Sequence, residues 1–195
     1  LGETFSNIRS NNRVRTMNVL VTGATGFIGG NLARELWRRG DEVRALVRPN
    51  SNKLAIEGTG IIRVEGDILD RASVKRAVEG CEAVFHVAAA YTFWSKDPAE
   101  VFRTNVEGTV NVLEAAQEAR VSRTVYTSTV GTIGIPKDDL GTEDTAIDPK
   151  SIHGHYKGSK FQAERKAMAI AADGMQLVVV NPTAPVGPWD VKPTP

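Results

Sequence analysis

A tyrosine and a lysine four residues apart have the clearest chemical potential in this chain of 195 residues, in the run Tyr156-Lys-Gly-Ser-Lys160. A tyrosine side chain has an ordinary pKa near ~10, which makes it a poor proton donor or acceptor at neutral pH. On a helix, a residue four positions later lies on the same face, one turn away. The positive charge of Lys160 would favour the phenolate and lower the pKa of Tyr156 toward the range of a general acid/base.

A glycine-rich segment lies near the start of the chain, in the run Val19-Leu-Val-Thr-Gly23-Ala-Thr-Gly26-Phe-Ile-Gly29. Its apolar beginning is typical of a buried parallel strand, and the apolar residues that follow at helical spacing indicate a helix. The glycine spacing is G-x-x-G-x-x-G and not the G-x-G-x-x-G of ordinary dehydrogenases. A strand, a glycine turn and a helix in this order favour a dinucleotide-binding turn.

Each of these glycines has a physical reason in a phosphate-binding turn. Gly23 allows the tight turn, Gly26 lets the backbone approach a pyrophosphate, and Gly29 lets the helix pack closely on the sheet. The free N–H groups at the start of the helix would face the phosphates. The alternative is a glycine-rich turn that binds nothing. We expect the pyrophosphate to be held by Gly23, Thr25, Gly26, Phe27, Ile28 and Gly29.

The end of the second strand is where such folds select the ribose of the cofactor. A carboxylate there favours NAD, whereas an arginine favours the 2′-phosphate of NADP. Asp41 and Glu42 lie at the amino end of this strand, which is the wrong end. Arg48 follows its carboxyl end and can make a bidentate contact with a phosphate, unless it is simply a solvated surface arginine. The sequence therefore favours NADP, with NAD as the alternative.

The ends of the third and fourth strands carry further candidate cofactor contacts. Asp67 could accept a hydrogen bond from the adenine amino group, and Asp70 is expected to cap the next helix. Ala88 and Ala89 follow the fourth strand and are small enough to permit close approach of the cofactor. We interpret His86, within that strand, as a core histidine with satisfied hydrogen bonds.

Hydroxyl groups end the fifth strand, in the run Thr127-Ser128-Thr129. The carboxyl ends of the strands are where an open α/β sheet presents its functional groups. A hydroxyl there could hydrogen-bond a substrate carbonyl oxygen and stabilise charge on it, although β-branched residues are also ordinary strand composition. His153 and His155 flank Tyr156 and could touch a substrate, but we interpret both as structural.

Apolar runs alternate with helical patterns along the chain, which predicts a doubly wound parallel α/β sheet of Rossmann type with strand order 3-2-1-4-5-6. The predicted strands are 18–22, 43–47, 61–64, 83–87, 124–128 and 177–181. The predicted helices are 27–39, 71–79, 99–119 and 156–173. We expect a disordered extension at 1–16, an NAD(P)-binding domain at 17–188, and the start of a substrate-binding region at 189–195.

Composition excludes several other classes of protein. Hydrophobic residues make up 41% and charged residues 24% of the chain, which is ordinary for a globular protein. A net charge of +1 implies neither nucleic acid nor an anionic membrane as a partner. Cys81 is the only cysteine, so no internal disulfide is possible; this fits the cytoplasm. No stretch has the length of a membrane span, and no cluster of residues has metal-ligand spacing.

These motifs together resemble the extended short-chain dehydrogenase/reductase family, from about residue 18 to the end of the chain. The resemblance rests on the glycine spacing, the Asp67-Ile68 pair, the run Phe85-His-Val-Ala-Ala and Asn105 in Arg-Thr-Asn-Val-Glu-Gly-Thr. It also rests on the hydroxyl of Thr129 and on the pair of Tyr156 and Lys160. The resemblance implies that Thr129, Tyr156 and Lys160 are catalytic and that Asn105 supports them. It implies further cofactor contacts from Ile68, Lys160, Pro182 and Thr183.

Within that family, the chain is most similar to dihydroflavonol-4-reductase-like proteins and to hopanoid-associated sugar epimerases. The similarity lies in the runs Thr129-Val-Gly-Thr-Ile-Gly, Gly154-His-Tyr-Lys-x-Ser-Lys160 and Pro185-Val-Gly-Pro through to Pro195. Sugar 4,6-dehydratases carry an Asp-Glu pair directly after the triad threonine. Val130 and Gly131 stand there instead, which argues against a dehydratase.

The resemblance implies an NAD(P)-dependent enzyme that acts on a ketone or a secondary alcohol, either as a reductase or as an epimerase of nucleotide sugars. The alternative is a binding module for dinucleotides that has no catalytic activity. Family members continue into a region that supplies most of the substrate pocket, whereas this chain ends at its threshold. We therefore expect cofactor contacts to be retained and much of the substrate site to be missing. Part of the apolar core face would then be exposed.

The resemblance also implies a homodimer through the predicted helices at 99–119 and 156–173.

Overall fold

A computed structural model describes residues 15–92, 96–137 and 139–190, and its strands form one parallel sheet. The strand order is β3-β2-β1-β4-β5-β6, as predicted. The strands are β1 (Asn18–Thr22), β2 (Glu42–Val47), β3 (Ile62–Glu65), β4 (Ala83–His86), β5 (Arg123–Thr127) and β6 (Leu177–Val180). Each boundary lies within one residue of the prediction, because apolar runs between polar turns mark the strands of a parallel sheet.

Helices cover both faces of the sheet. They are α1 (Phe27–Arg39), α2 (Arg71–Val78), α3 (Pro98–Phe102), α4 (Gly108–Glu118) and α5 (His155–Ala172). On one face, Val19 and Val21 pack with Ala33 and Leu36 of α1. On the other face, residues such as Leu20 pack beneath α2 and α4, and α5 covers the sheet beside α4 through a third cluster. The architecture is the predicted doubly wound α/β fold.

The helical run predicted at 99–119 contains an interruption that the sequence did not indicate. Residues Arg103–Glu107 form a turn of π-helix between α3 and α4. Such turns insert one extra residue into the helix and occur frequently at functional sites. Asn105 lies inside this turn and is buried. The π turn therefore positions a side chain that resemblance alone had marked.

The outer strand β6 leaves one of its faces uncovered. Val178 and Val180 are 45% and 40% exposed, whereas Leu177 and Val179 pack beneath α5. Within the described residues, none of the helices combines the length and the apolar character needed to cross a membrane.

The predicted domain boundaries stay a prediction. Residues 1–14 of the expected disordered extension lie outside the described residues, as do residues 191–195 of the expected substrate-binding segment. Arg15 is described and forms an ion pair with Glu82 at the start of β4. The segment that follows β6 returns to α1, where the guanidinium of Arg34 stacks on the Trp189 ring at 3.9 Å.

Candidate active site

The glycine turn joins β1 to α1 at the carboxyl edge of the sheet, and two of its glycines are fixed by close packing. Gly23 has a φ of +73°, and a Cβ there would lie 2.6 Å from the backbone nitrogen of Ala88. A Cβ on Gly29 would lie 2.2 Å from the Gly23 carbonyl oxygen. Both distances are far inside van der Waals contact. The backbone segments after β1 and β4 can therefore approach each other only because these positions lack side chains.

Gly26 differs from its two neighbours because packing does not require it. A Cβ at this position would meet only the Gly23 carbonyl oxygen, at 3.4 Å. Gly26 directly precedes α1, and the first N–H groups of a helix lack partners within it. The turn thus presents backbone donors on a surface without side-chain atoms, which fits a cofactor's pyrophosphate.

A groove of about 450 Å³ lies beyond the carboxyl ends of β2 and β3. Its lining includes Arg48 and Asp67, which brings together two residues that the sequence assigned to the adenosine end of a cofactor. One oxygen of Asp67 accepts a hydrogen bond from the Leu69 amide at 2.9 Å. Asp41 is buried in an ion pair with Arg39 at the amino end of β2, so it is structural.

Tyr156 lies in the first turn of α5, and its environment differs from the prediction. Its ring meets the Tyr91 ring edge to face, with centroids 4.7 Å apart. Burial, and then the neighbouring Tyr91, raise the pKa of Tyr156 to about 12. The prediction that Lys160 lowers this pKa is therefore wrong for this structure. Sequence spacing gives the shared helix face, but burial of the phenol dominates its pKa.

Lys160 points into the protein instead of toward the Tyr156 hydroxyl. Its ammonium donates hydrogen bonds of 2.8 Å to the Tyr126 hydroxyl and of 2.8 Å to the Thr127 carbonyl oxygen. Only 2% of the residue is exposed. Burial lowers the pKa of Lys160 to about 7, and the charge of Glu164 acts in the opposite direction. The ammonium is thus fixed at the carboxyl end of β5.

Thr129 follows β5 and caps the short 3₁₀ turn Val130–Thr132. Its hydroxyl oxygen accepts a hydrogen bond from the Gly131 amide at 3.2 Å. None of the hydrogen bonds among the described residues uses its proton. Because a hydroxyl has one donor, Thr129 can offer that proton to a substrate oxygen.

Asn105 ties the π turn to both sides of the site. Its side chain bonds both backbone groups of Ala90, accepting from the amide at 2.7 Å and donating to the carbonyl oxygen at 3.1 Å. It also donates to the Ser159 hydroxyl at 2.9 Å, and that hydroxyl donates to the Tyr156 carbonyl oxygen at 2.7 Å. Asn105 therefore supports the site by holding the chain after β4 against the first turn of α5.

His86 is the satisfied core histidine that the sequence suggested. It is 1% exposed, and its two ring nitrogens lie 2.7 Å and 3.0 Å from the hydroxyl oxygens of Thr22 and Thr109. The Thr22 oxygen already accepts from the Val87 and Ala88 amides, so its proton faces Nδ1 of His86. The ring is therefore neutral, with its proton on Nε2.

Acid is expected to destabilise the protein through His86. Burial, together with the charge of Lys160, lowers the pKa of His86 to about 3. Below pH ~6.5, His86 binds a proton in the unfolded chain but stays neutral in the folded chain. The free energy of unfolding therefore falls as the pH falls toward 3. The slope reaches about 1.4 kcal/mol per pH unit for this proton. Urea unfolding of the wild type and of His86→Gln measures it, and equal slopes in the two proteins would contradict the assignment.

The remaining predicted positions take varied places. Ile68 is buried in the core beneath Gly108, so any cofactor contact would come from its backbone. Pro182 accepts a hydrogen bond from the Val130 amide at 3.1 Å, and Thr183 beside it is exposed. His153 and His155 are exposed at the start of α5. Asp70 caps α2 as predicted, through the Ala72 amide at 3.0 Å.

Several polar residues beside the site were not predicted. Tyr91, Tyr126, Ser159, Glu164 and Asn181 all contact a predicted residue or its neighbour. Ser128, which belongs to the predicted hydroxyl run, bonds Glu164. Glu164 lies four residues after Lys160, so helix spacing could have indicated it. Tyr91 and Asn181 come from distant parts of the chain and carried no signal of their own.

The model of the NAD dependent epimerase/dehydratase family matches residues 19–195. The chain belongs to this family. A dihydroflavonol 4-reductase from Zea mays is 37% identical over 190 residues, which cover 88% of this chain and 53% of the relative. Among solved structures, that of gox2253 has a TM-score of 0.85 at 40% identity, over 92% of this chain and 55% of the other. A UDP-glucose 4-epimerase from Brucella ovis, solved with NAD, has a TM-score of 0.73 at 31% identity, over 84% and 51%.

This member of the epimerase/dehydratase family thus resembles reductases and epimerases alike. It spans about half the length of the relatives and solved structures that it matches. The part that matches includes the glycine turn and the residues around Tyr156. The expected similarity to dihydroflavonol reductases is confirmed.

Proposed function

We propose that this protein is an oxidoreductase or epimerase that acts on a carbonyl or secondary alcohol with a nicotinamide cofactor. One observation carries the proposal. The ammonium of Lys160 is fixed to the Thr127 carbonyl oxygen at the carboxyl end of β5, on the same sheet edge at which the glycine turn follows β1. Ligands of open α/β sheets bind at this edge. The groups for proton transfer and the groups for phosphate binding therefore belong to one edge of the sheet.

The chain's own residues would divide the chemistry in the following way. A bound nicotinamide cofactor supplies hydride transfer. Tyr156 holds the proton that the substrate oxygen gains on reduction or loses on oxidation, and Thr129 donates a hydrogen bond to the same oxygen. Lys160 contributes a positive charge at the end of β5, and the resemblance to the family assigns it to the nicotinamide ribose. The turn of Gly23, Thr25, Gly26 and Phe27 holds the pyrophosphate.

Arg48 is proposed to select NADP over NAD. It follows β2 at the mouth of the groove that also contains Asp67, and no acid stands at that end of the strand. Arg48→Ala should weaken NADPH binding by about 10- to 100-fold, the value of a lost charge-assisted hydrogen bond. Binding of NADH should change little. Calorimetric titration of both cofactors measures this, and an equal loss for the two would refute a role in selection.

Reductase and epimerase activities are distinguished by cofactor balance. Reduction of a ketone consumes NADPH stoichiometrically, whereas epimerisation oxidises and re-reduces one substrate with no net consumption. The names of the relatives suggest two probes, a dihydroflavonol with NADPH and UDP-glucose. The assay uses a form of the protein that includes any residues encoded beyond Pro195. If neither turnover nor exchange of the substrate's carbinol hydrogen occurs with any carbonyl or sugar substrate, the enzymatic proposal fails.

A dinucleotide-binding module without catalysis is the second candidate for this chain. The direction of Lys160 favours it, since its ammonium bonds the Tyr126 hydroxyl and the Thr127 carbonyl oxygen and not the Tyr156 hydroxyl. Retention of the tyrosine–lysine pair favours the enzyme.

We also propose that the protein associates into a homodimer through α4 and α5. Sedimentation equilibrium of the protein tests this association.

A further inference from the structure

A cluster of polar side chains lies directly behind Thr129, around the carboxylate of Glu164. The Ser128 hydroxyl donates to that carboxylate in a short hydrogen bond. The Thr132 hydroxyl lies 2.8 Å from the same oxygen, and the Asn181 amide donates to it at 3.2 Å. Asn181 also donates to the Thr129 carbonyl oxygen at 3.1 Å. One carboxylate oxygen of Glu164, on α5, thus accepts hydrogen bonds from residues at the ends of β5 and β6 and from the 3₁₀ turn.

Lys160 is the buried cation next to this cluster, one helical turn before Glu164. The titratable groups that face it are His86 from β4, Tyr126 from β5 and Glu164 from α5. Its ammonium lies 4.4 Å from the centre of the Tyr126 ring as well as 2.8 Å from the hydroxyl of that ring. Of these three groups, only the carboxylate of Glu164 carries negative charge at neutral pH.

Two adjacent residues at the end of β5 contact the two charged residues. The Thr127 carbonyl oxygen accepts from Lys160, and the Ser128 hydroxyl donates to Glu164. Burial of an amine disfavours its charged form, and a nearby carboxylate favours it. Burial and the Glu164 charge act on the pKa of Lys160 in these two opposite directions.

We propose that Glu164 is a positioning residue: its carboxylate ties the turn after Thr129 to α5 and is the counter-charge of the buried Lys160 ammonium, one helical turn before it. The role in catalysis rests on the proposed function, because only a protonated Lys160 can act in the site as a cation. The electrostatic coupling itself exists in the protein without substrate. It can therefore be tested without an activity assay.

The test is a pH titration of Lys160 by NMR, with ¹³C- and ¹⁵N-labelled lysine in the 195-residue chain. The Lys160 signal is assigned by its absence from Lys160→Arg. Glu164→Gln keeps an oxygen that can accept the same hydrogen bonds but removes the charge. It should lower the pKa of Lys160 by about one pH unit. Glu164→Asp, which keeps the charge, should return the pKa toward the wild-type value.

Glu65→Gln is the matched control, because it removes an exposed acid from β3 at the opposite edge of the sheet. It should leave Lys160 unchanged. An unchanged pKa of Lys160 in Glu164→Gln would overturn the proposal. If Glu164→Gln does not fold, the wild type decides: the Glu164 carboxyl carbon must shift as Lys160 titrates, and a flat response overturns the proposal.

The outcomes separate this proposal from the proposed function. If the pKa of Lys160 falls in Glu164→Gln, the coupling between Glu164 and Lys160 is established, even if Tyr156 proves not to be needed for turnover. With the extended form of the protein, the alkaline limb of the kcat/KM profile in Glu164→Gln should move to lower pH by the same amount. A merely structural role would lower activity at every pH without moving that limb.

Discussion

Replacing Tyr156 with phenylalanine is expected to reduce turnover by a factor of about 10² to 10⁴, the usual contribution of a positioned general acid/base. Binding of NADPH should be unaffected, because the turn around Gly26 and the groove at Arg48 lie at other strand ends. The phenyl ring can keep its edge-to-face contact with Tyr91. The substitution thus removes the proton-bearing oxygen and little else.

Tyr91→Phe is the matched comparison, since it removes the same atom from the neighbouring ring. Its effect on turnover should be far smaller than that of Tyr156→Phe. Steady-state kinetics of both variants, with NADPH titrations beside them, make the measurement. Retained activity in Tyr156→Phe, or a larger loss in Tyr91→Phe, would show that another group transfers the proton.

Alanine substitutions at two glycines of the glycine turn, Gly29 and Gly26, are expected to have different effects. One should lower the stability of the protein and the other its affinity for the cofactor. Gly29→Ala places a Cβ 2.2 Å from the Gly23 carbonyl oxygen, in backbone that cannot move aside cheaply. We expect a loss of about 3 kcal/mol in the free energy of unfolding, at the upper end of overpacking effects. Gly26→Ala meets only one atom at 3.4 Å and should keep wild-type stability.

The order should reverse for the cofactor. Gly26→Ala puts a methyl group on the surface that we assign to the pyrophosphate, and it should weaken NADPH binding by at least about tenfold while the protein stays folded. Urea unfolding and calorimetric titration of the two variants test this contrast. A stable Gly26→Ala with unchanged affinity would remove the turn from the binding site.

The sequence predicted most of the architecture because its signals are local. Apolar runs between polar turns marked every strand of the sheet, and glycine spacing marked the turn after β1, in which a Cβ would strike backbone. Asp70 was recognised as a cap because capping depends on neighbours in the chain. The π turn at Arg103–Glu107 has no comparable local pattern, so the helix was predicted without it.

The electrostatics of the site could not be predicted from spacing. Tyr156 and Lys160 share a helix face, but their pKa values depend on burial and on partners from other strands. The Tyr126 hydroxyl, which receives the lysine ammonium, lies 34 residues away in the chain. The position of Glu164 four residues after Lys160 can be read from helix spacing. Its hydrogen-bond partners, which follow β5 and β6, could not be predicted, because only the fold brings them to Glu164.

The most direct test of the account is a calorimetric titration of the folded 195-residue chain with NADPH, repeated with NADH and with Gly26→Ala. All the residues that we assign to the cofactor lie in this chain. We predict saturable binding of one NADPH per chain, weaker binding of NADH, and loss of affinity in Gly26→Ala. A folded chain that binds neither nucleotide would contradict the assignment of the glycine turn and of the site built on it.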